Sequence, residues 1–102
     1  MKRFLLLIAC LVLASCASHD FMVTSFMKSK SDEVYDYYIY KSFADTIYKV
    51  DSDEAEKIRL DWLKRWLNEN KLNESAYEVT KREVVNKNGN IKDIYYELRI
   101  KK

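Results

Sequence analysis

The sequence predicts a two-layer α+β domain, in which one amphipathic helix packs on a three- or four-stranded antiparallel sheet in the order β(β)αββ. Residues 33–50 are dense in aromatic and β-branched side chains, which favour strands. Residues 53–70 have the apolar period of a helix, and Asn88-Gly89 is a turn pair between two strand-like segments. When a helix and a sheet each have one apolar face, packing these two faces against each other removes both from water.

The segment over residues 33–50 is the first strand region. Tyr37 and Tyr38 are adjacent, which blurs the alternation expected of a half-buried strand. No glycine or proline marks a tight turn within the segment. We therefore expect either one long bent strand or two short strands that meet near residues 42–45.

The segment after residue 50 predicts a helix of about 19 residues that ends near Asn70. Asp51 and Ser52 are both suited to the N-cap, because their side-chain oxygens accept hydrogen bonds from free amide groups of the first turn. At about 100° per residue, the apolar side chains fall on one arc. They are Ala55, Ile58, Leu60, Trp62, Leu63, Trp66 and Leu67. Both tryptophans are therefore expected to face the core.

The last two strands are predicted to form a hairpin around Asn88-Gly89, a pair favoured in two-residue turns because both positions need positive φ. A turn at this position places Val79 opposite Leu98. Lys81 and Glu83 interrupt the apolar face of the earlier strand, so we expect either a β-bulge near Lys81 or a frayed strand end.

The beginning of the chain has the pattern of an export signal. Two basic residues precede an apolar run over residues 4–12, which is shorter than the about 20 residues that a membrane-spanning helix needs. The run leads into Leu13-Ala14-Ser15-Cys16, in which a branched apolar residue and two small residues precede a cysteine. The sequence therefore predicts a cleaved signal peptide.

Residues 13–16 resemble the lipobox of bacterial lipoproteins, in which the cysteine thiol receives a diacylglycerol before the signal is removed. The resemblance implies that Cys16 is lipidated and carries two or three acyl chains, palmitate among them, which are enough for stable membrane binding. Ala17 follows the cysteine, where an aspartate is associated with retention in the inner membrane. We therefore expect a lipid anchor in the cell envelope, in the outer membrane in preference to the inner, with the domain in the periplasm.

These features divide the chain into a signal peptide over residues 1–15, a lipidated N-terminus and tether over residues 16–32, and the α+β domain over residues 33–102. The tether is rich in serine and charge and has no clear period. It also carries apolar side chains, such as Phe21 and Met27, that suit contact with lipid, with the domain or with a partner.

Composition limits the chemistry of the mature chain. Cys10 leaves with the signal and Cys16 is used for lipid, so no thiol remains for a disulfide, a nucleophile or a metal. His19, the only histidine, lies in the tether, and Gly89 is the only glycine. We therefore expect no metal site, no cofactor and no enzymatic activity.

Charge does not favour a nucleic-acid partner. Of the 18 basic residues, Lys2 and Arg3 belong to the signal, which leaves 16 basic residues against 16 acidic ones. A nucleic-acid-binding protein instead needs a basic excess along one face.

Tyrosines are the main candidates for a binding surface. Neighbouring strand positions point to opposite sides of a sheet, so the tyrosines of the first strand region cannot all face inward. The candidates are Tyr35, Tyr37, Tyr38 and Tyr40. Exposed tyrosines suit a protein interface or stacking on sugar rings, although they are also common on half-covered sheets.

Arg59 is the other residue that stands out, because it falls inside the apolar arc of the helix. Such an arginine either extends past the tryptophans to water or pairs with an acid of the first strands. Asp36 and Asp45 are the acids that we expect for a structural ion pair.

Three functions agree with these observations. The leading hypothesis is a non-catalytic lipid-anchored envelope protein that binds another envelope protein or a second copy of itself. The alternative is a module that binds cell-wall carbohydrate or a small ligand through its tyrosines. A further alternative is a phage or plasmid exclusion or immunity lipoprotein, since such proteins are often small.

Overall fold

The computed structural model describes residues 20–102 and confirms the α+β class. The elements in chain order are β1 (Ser25–Ser31), β2 (Tyr35–Ala44), α1 (Asp53–Glu69), β3 (Tyr77–Asn88) and β4 (Ile91–Lys101). The strands form one antiparallel sheet in the spatial order β1-β2-β4-β3. Along the chain this is the four-stranded form of the expected order β(β)αββ, but the order of the strands in the sheet differs from their order in the chain. The two strands before α1 also come from residues 25–44 and not from residues 33–50.

β1 lies in the region that the sequence assigned to a tether. It pairs with one edge of β2, with Phe26 opposite Tyr40 and Ser31 opposite Asp36. Most of its side chains are exposed, because an edge strand pairs on one side only and its lysines and serines face water. This polar composition conceals the strand, so the domain boundary predicted at residue 33 is too late.

The residues before β1 also belong to the folded unit. The Phe21 side chain is buried, and its ring centroid lies 4.6 Å from that of Trp66. The indole Nε1 of Trp66 donates to Oγ1 of Thr24 over 2.7 Å, and the Thr24 hydroxyl donates to the carbonyl oxygen of Phe21. The sequence left three contacts open for the apolar residues of this segment: with lipid, with the domain or with a partner. Phe21 contacts the domain.

β2 ends at Ala44, and a turn separates it from α1. The carboxylate of Asp45 closes this turn, since its Oδ1 accepts hydrogen bonds from the backbone nitrogens of Ile47 and Tyr48 over 2.8 and 2.7 Å. The strand predicted to extend through residue 50 is therefore shorter, and Tyr48 lies in the loop.

α1 begins as predicted, with Ser52 at the N-cap. The Oγ atom of Ser52 accepts a hydrogen bond from the backbone nitrogen of Ala55 over 3.3 Å. The helix ends at Glu69, and Asn70 is its C-cap. The left-handed residue that follows is Lys71, with a φ of 58°. A backbone hydrogen bond of 2.8 Å from Leu72 to the carbonyl oxygen of Leu67 closes this end.

The core lies between α1 and one face of β2 and β4. The buried hydrophobic residues from the two strands are Tyr38, Tyr40, Ala44, Ile94, Tyr96, Leu98 and Ile100. The helix contributes Trp62, Leu63 and Leu67, with Trp66 half-buried against them. Both tryptophans face the core as predicted, but Ile58 is exposed and Arg59 is buried in its place.

The turn of the final hairpin lies one residue later than predicted. Residues 89–90 form it, and Asn88 pairs with Ile91. Gly89 has a φ of 57°, a conformation that glycine adopts without steric cost.

Two β-bulges restore the predicted register farther from the turn. One extra residue of β3 lies at Lys87 and another at Thr80, so that Val79 pairs with Leu98 as expected. The second bulge agrees with the irregularity predicted near Lys81. Because β3 is an edge strand, the bulges also make its free side less regular as a template for pairing with another chain.

Candidate functional site

The face of the sheet opposite α1 is the candidate binding surface, which we call the outer face. In β2 the odd-numbered residues Tyr35, Tyr37 and Ile39 alternate with the buried tyrosines of the core. In the neighbouring strand, Arg99 pairs with Tyr37 and Glu97 pairs with Ile39, so their side chains share this face. Further residues of the outer face are Met27 of β1, Lys41 of β2, Tyr95 of β4, and Glu78, Lys81, Glu83 and Val85 of β3.

Charged side chains hold the two tyrosine rings of β2 in place. The Arg99 guanidinium lies 4.3 Å from the ring centroid of Tyr35, and its Nε donates to Oε2 of Glu78 over 2.9 Å. The Lys30 ammonium lies 4.8 Å from the ring centroid of Tyr37. These cation-π contacts orient both rings while leaving them half-buried at the surface.

The hydroxyl of Tyr37 is engaged by the turn before β2. It donates to Oδ2 of Asp32 over 2.9 Å, and Oδ1 of Asp32 accepts from the backbone nitrogens of Val34 and Tyr35 over 2.8 and 2.6 Å. The hydrogen bond to Asp32 raises the pKa of Tyr37, because the neutral phenol donates it. The turn and the outer face are therefore one connected polar network.

A shallow depression lies on the outer face, between β2, β4 and the edge strand β3. It is lined by Ile39, Lys81, Glu83, Tyr95 and Glu97 and has a volume of about 160 Å³. Sequence reasoning left Tyr95 out of the candidate set. The signal was present, since the apolar residues at positions 94, 96, 98 and 100 place residue 95 on the opposite side of the strand.

The structure separates the four candidate tyrosines into two pairs. Tyr35 and Tyr37 lie on the outer face, whereas Tyr38 and Tyr40 are buried beneath α1, with 7% and 0% of their surface exposed. The Tyr40 hydroxyl donates to the carbonyl oxygen of Arg59 over 2.8 Å. The assignment of Tyr38 and Tyr40 to a binding surface is therefore wrong, because strand alternation turns both toward the core.

Arg59 forms the predicted ion pair, but with a different acid. Its guanidinium lies 3.0 Å from Oε1 of Glu56, one turn earlier in α1. Asp36 instead accepts from Ser31 over 2.6 Å and pairs with Lys28 near the distant end of β2. Asp45 is occupied by its own turn. Both expected partners are therefore engaged elsewhere.

The remaining donors of Arg59 bind the loop that leads into α1. Its two Nη atoms donate to four backbone carbonyl oxygens over 3.0–3.4 Å, those of Phe43, Tyr48, Lys49 and Val50. A fully buried guanidinium needs such acceptors, because an unsatisfied buried donor is costly. Arg59 therefore fixes the loop to the helix.

Glu56 connects Arg59, and the loop that Arg59 binds, to β3 and β4. Its carboxylate accepts from Arg59, from Arg82 over 3.1 and 3.3 Å, and from the Tyr96 hydroxyl over 2.8 and 2.9 Å. Desolvation raises the pKa of Glu56, but the hydrogen bonds from Arg82, Tyr96 and Arg59 together lower it by more. We interpret this cluster as a structural connection between helix, loop and sheet.

Several sequence predictions concern residues outside the range 20–102 that the structure describes. The signal peptide over residues 1–15, the lipidation site Cys16 and His19 all lie outside the described residues. Within residues 20–102, no helix has the length and apolarity to cross a bilayer. In the same range, no three side chains of histidine, cysteine, aspartate or glutamate are grouped so that they could hold a metal ion.

Comparison with known proteins finds no family model that matches this chain, and no significant similarity to a curated protein or to a solved structure.

Proposed function

We propose that this chain is a non-catalytic lipid-anchored envelope protein that binds another envelope protein through the outer face of its sheet. The observation that carries the proposal is the composition of that face. An antiparallel sheet with one covered face ordinarily presents polar residues on the other. Here Tyr35, Tyr37, Ile39 and Tyr95 lie side by side on β2 and β4, and no described segment covers them.

The chemistry of the outer face suits a protein partner. Tyrosine and arginine are enriched among residues that dominate binding energy at protein interfaces. The rings of Tyr35 and Tyr37 are already oriented by Arg99 and Lys30, so less side-chain entropy is lost when a partner packs on them. The rim is charged, with Glu78, Lys81 and Glu83 on β3, as in the polar rim of a typical interface.

Site-specific photo-crosslinking in intact envelopes tests the partner. A photoreactive phenylalanine analogue at Tyr95 is expected to trap one discrete protein species, and Tyr37→Ala is expected to weaken that crosslink by removing an adjacent contact. The matched control places the same analogue at Lys64, which is exposed on α1. The same crosslinking at both positions, or at neither, would contradict binding through the outer face.

The membrane part of the proposal rests on the signal and on Cys16. Acyl chains contribute about 0.8 kcal/mol for each buried methylene, and two chains or more give stable anchoring. Mass spectrometry of the mature N-terminus is expected to find a diacylglyceryl group on Cys16. Cys16→Ser is expected to leave the signal uncleaved and to remove the acyl chains. Unchanged processing of that variant would contradict the lipid anchor.

Carbohydrate binding is the second candidate, since Tyr95, Glu83 and Glu97 line one depression. Aromatic rings beside polar groups suit sugar stacking. The depression is nevertheless smaller than the about 300 Å³ at which small-molecule sites begin. Titration with muropeptides separates the two functions, because only a sugar site responds with saturable quenching that Tyr95→Ala removes.

A further inference from the structure

The two ends of the sheet differ in the side chains that they expose. At one end β1 begins, β2 ends, β3 ends and β4 begins. We call it the anchor end and define it by residues 20–24, 45–52 and 86–92. At the opposite end, β1 leads into β2 through residues 32–34.

Direct contacts join the segments of the anchor end. The Tyr48 hydroxyl donates to Oδ2 of Asp20 over 2.7 Å, which ties the loop before α1 to the residues before β1. Val23 lines one pocket together with Phe43 and Ile91, and so meets the start of β4. The loop over residues 44–51 lines another pocket with the hairpin turn. The anchor end is thus one continuous surface.

Large apolar side chains project from this surface. Ile47 is 79% exposed at the tip of the loop, and Met22 is 72%, Val23 54% and Ile91 46% exposed. At the opposite end, Val34 is the exposed large hydrophobic residue of the connection between β1 and β2. Exposed apolar side chains grouped in this way indicate a surface that meets an apolar phase or a partner.

Charge at the anchor end is mixed. Lysines at positions 49, 87 and 92 have long apolar stems that can lie along a membrane interface while their ammonium groups stay in water. Asp20, Asp45 and Asp51 lie in the same segments, and Asp93 lies beside them, so these acids offset the lysines. The attraction to a bilayer is therefore expected to come from apolar burial and to depend little on anionic lipid.

Chain length limits where this end can be if Cys16 is lipidated. Asp20 follows Cys16 by four residues, and an extended chain spans at most about 3.6 Å per residue, or about 14 Å in all. The opposite end lies a further 30 Å or so along β2, which has 10 residues at about 3.3 Å each. Of the two ends, the anchor end is therefore the one that the short connection holds next to the lipid headgroups.

We propose that the anchor end rests on the bilayer, with Ile47, Ile91 and the apolar residues 22–23 in the interfacial layer. This inference rests on the proposed lipid anchor at Cys16. The lipid surface is the occupant that the short connection selects. In this orientation the strands rise from the membrane, and the outer face is turned sideways toward neighbouring envelope proteins.

The test uses the lipidated full chain in vesicles of phosphatidylethanolamine and phosphatidylglycerol. Because the thiol of Cys16 is blocked by lipid, Ile47→Cys introduces a single reactive thiol for an environment-sensitive fluorophore. Val34→Cys is the matched control, since Val34 is also exposed but lies at the opposite end. Ile91→Cys provides an independent second position at the anchor end.

The expected result is a blue-shifted emission at positions 47 and 91, with severalfold stronger quenching by spin-labelled lipid than at position 34. The difference should persist in vesicles without phosphatidylglycerol. If the protein floats with the vesicles while all three labels report water, the anchor holds and this inference is overturned. If the protein does not float, the lipid anchor of the proposed function fails and the inference fails with it. Purified vesicles contain no other protein, so a lipid signal there cannot come from a partner.

Discussion

The Arg59 guanidinium is fully buried and lies 3.0 Å from the Glu56 carboxylate, one turn away on the same helix. An arginine in an apolar arc is expensive unless all of its donors are satisfied. Here the carboxylate satisfies one side of the guanidinium and the carbonyl oxygens of the preceding loop satisfy the other. The pair therefore connects the start of α1 to the end of β2 and to the loop between them.

Replacing Arg59 by methionine is expected to lower the free energy of unfolding by about 3 kcal/mol, because removal of one member of a buried ion pair leaves its partners unsatisfied. Methionine keeps most of the side-chain volume, so the loss reports the polar contacts. Urea unfolding followed by tryptophan fluorescence measures it. Lys64→Met on the exposed side of α1 is the control and is expected to change stability by less than about 0.5 kcal/mol. Equal stability of the two variants would contradict the structural role of Arg59.

The stability that Glu56 contributes should depend on pH. Its pKa is lowered below the ordinary 4.5 in the folded protein, so the folded state favours the ionised form. This contribution is fully present above about pH 4.5 and is lost as the pH falls through the folded pKa. We therefore expect Glu56→Gln to be less stable than the natural protein at neutral pH, and the difference to shrink as the pH falls below about 4.5 and through the lowered pKa of the folded protein. Urea unfolding of both proteins across this range measures the difference in stability. A difference that grows as the pH falls would contradict the prediction.

Alternate tyrosines of β2 should respond differently to truncation. Tyr40→Ala removes a fully buried ring and a hydrogen bond, and is expected to cost about 3 kcal/mol or more. Tyr37→Ala removes a half-buried ring on the outer face, and is expected to cost about 1 kcal/mol or less. Thermal and urea unfolding of the two variants measure the contrast. Similar losses would mean that the outer face is covered in the folded protein.

Removing residues 20–32 should unfold the domain. A chain that starts at residue 33 lacks β1 and the rings of Phe21 and Phe26. Both rings pack against Trp66, so their loss exposes this side of the core to water. A domain of this size has only about 5–15 kcal/mol of net stability, so the loss of a strand is expected to abolish cooperative unfolding. Thermal unfolding followed by near-ultraviolet circular dichroism compares the shortened chain with a chain that starts at residue 20. The same transition in both would mean that residues 20–32 are a tether, as the sequence predicted, and not part of the domain.

The sequence alone determined the elements whose signals are local. Ser52 caps α1 as expected, because capping involves only groups within one turn of the helix. The pairing of Val79 with Leu98 was predictable from a turn ten residues away, although two bulges compensate for a shift of that turn. The apolar face of β4 likewise followed from its alternation.

Tertiary structure decided what depends on residues far apart in the chain. The strand character of residues 25–31 comes from pairing with β2, since an edge strand needs no apolar alternation of its own. Strand alternation told us that some tyrosines must face outward, but only the position of α1 decides that Tyr35 and Tyr37 do and that Tyr38 and Tyr40 do not. The partner of Arg59 was equally undetermined, because the acid that satisfies a buried charge is selected by the packing of several elements at once.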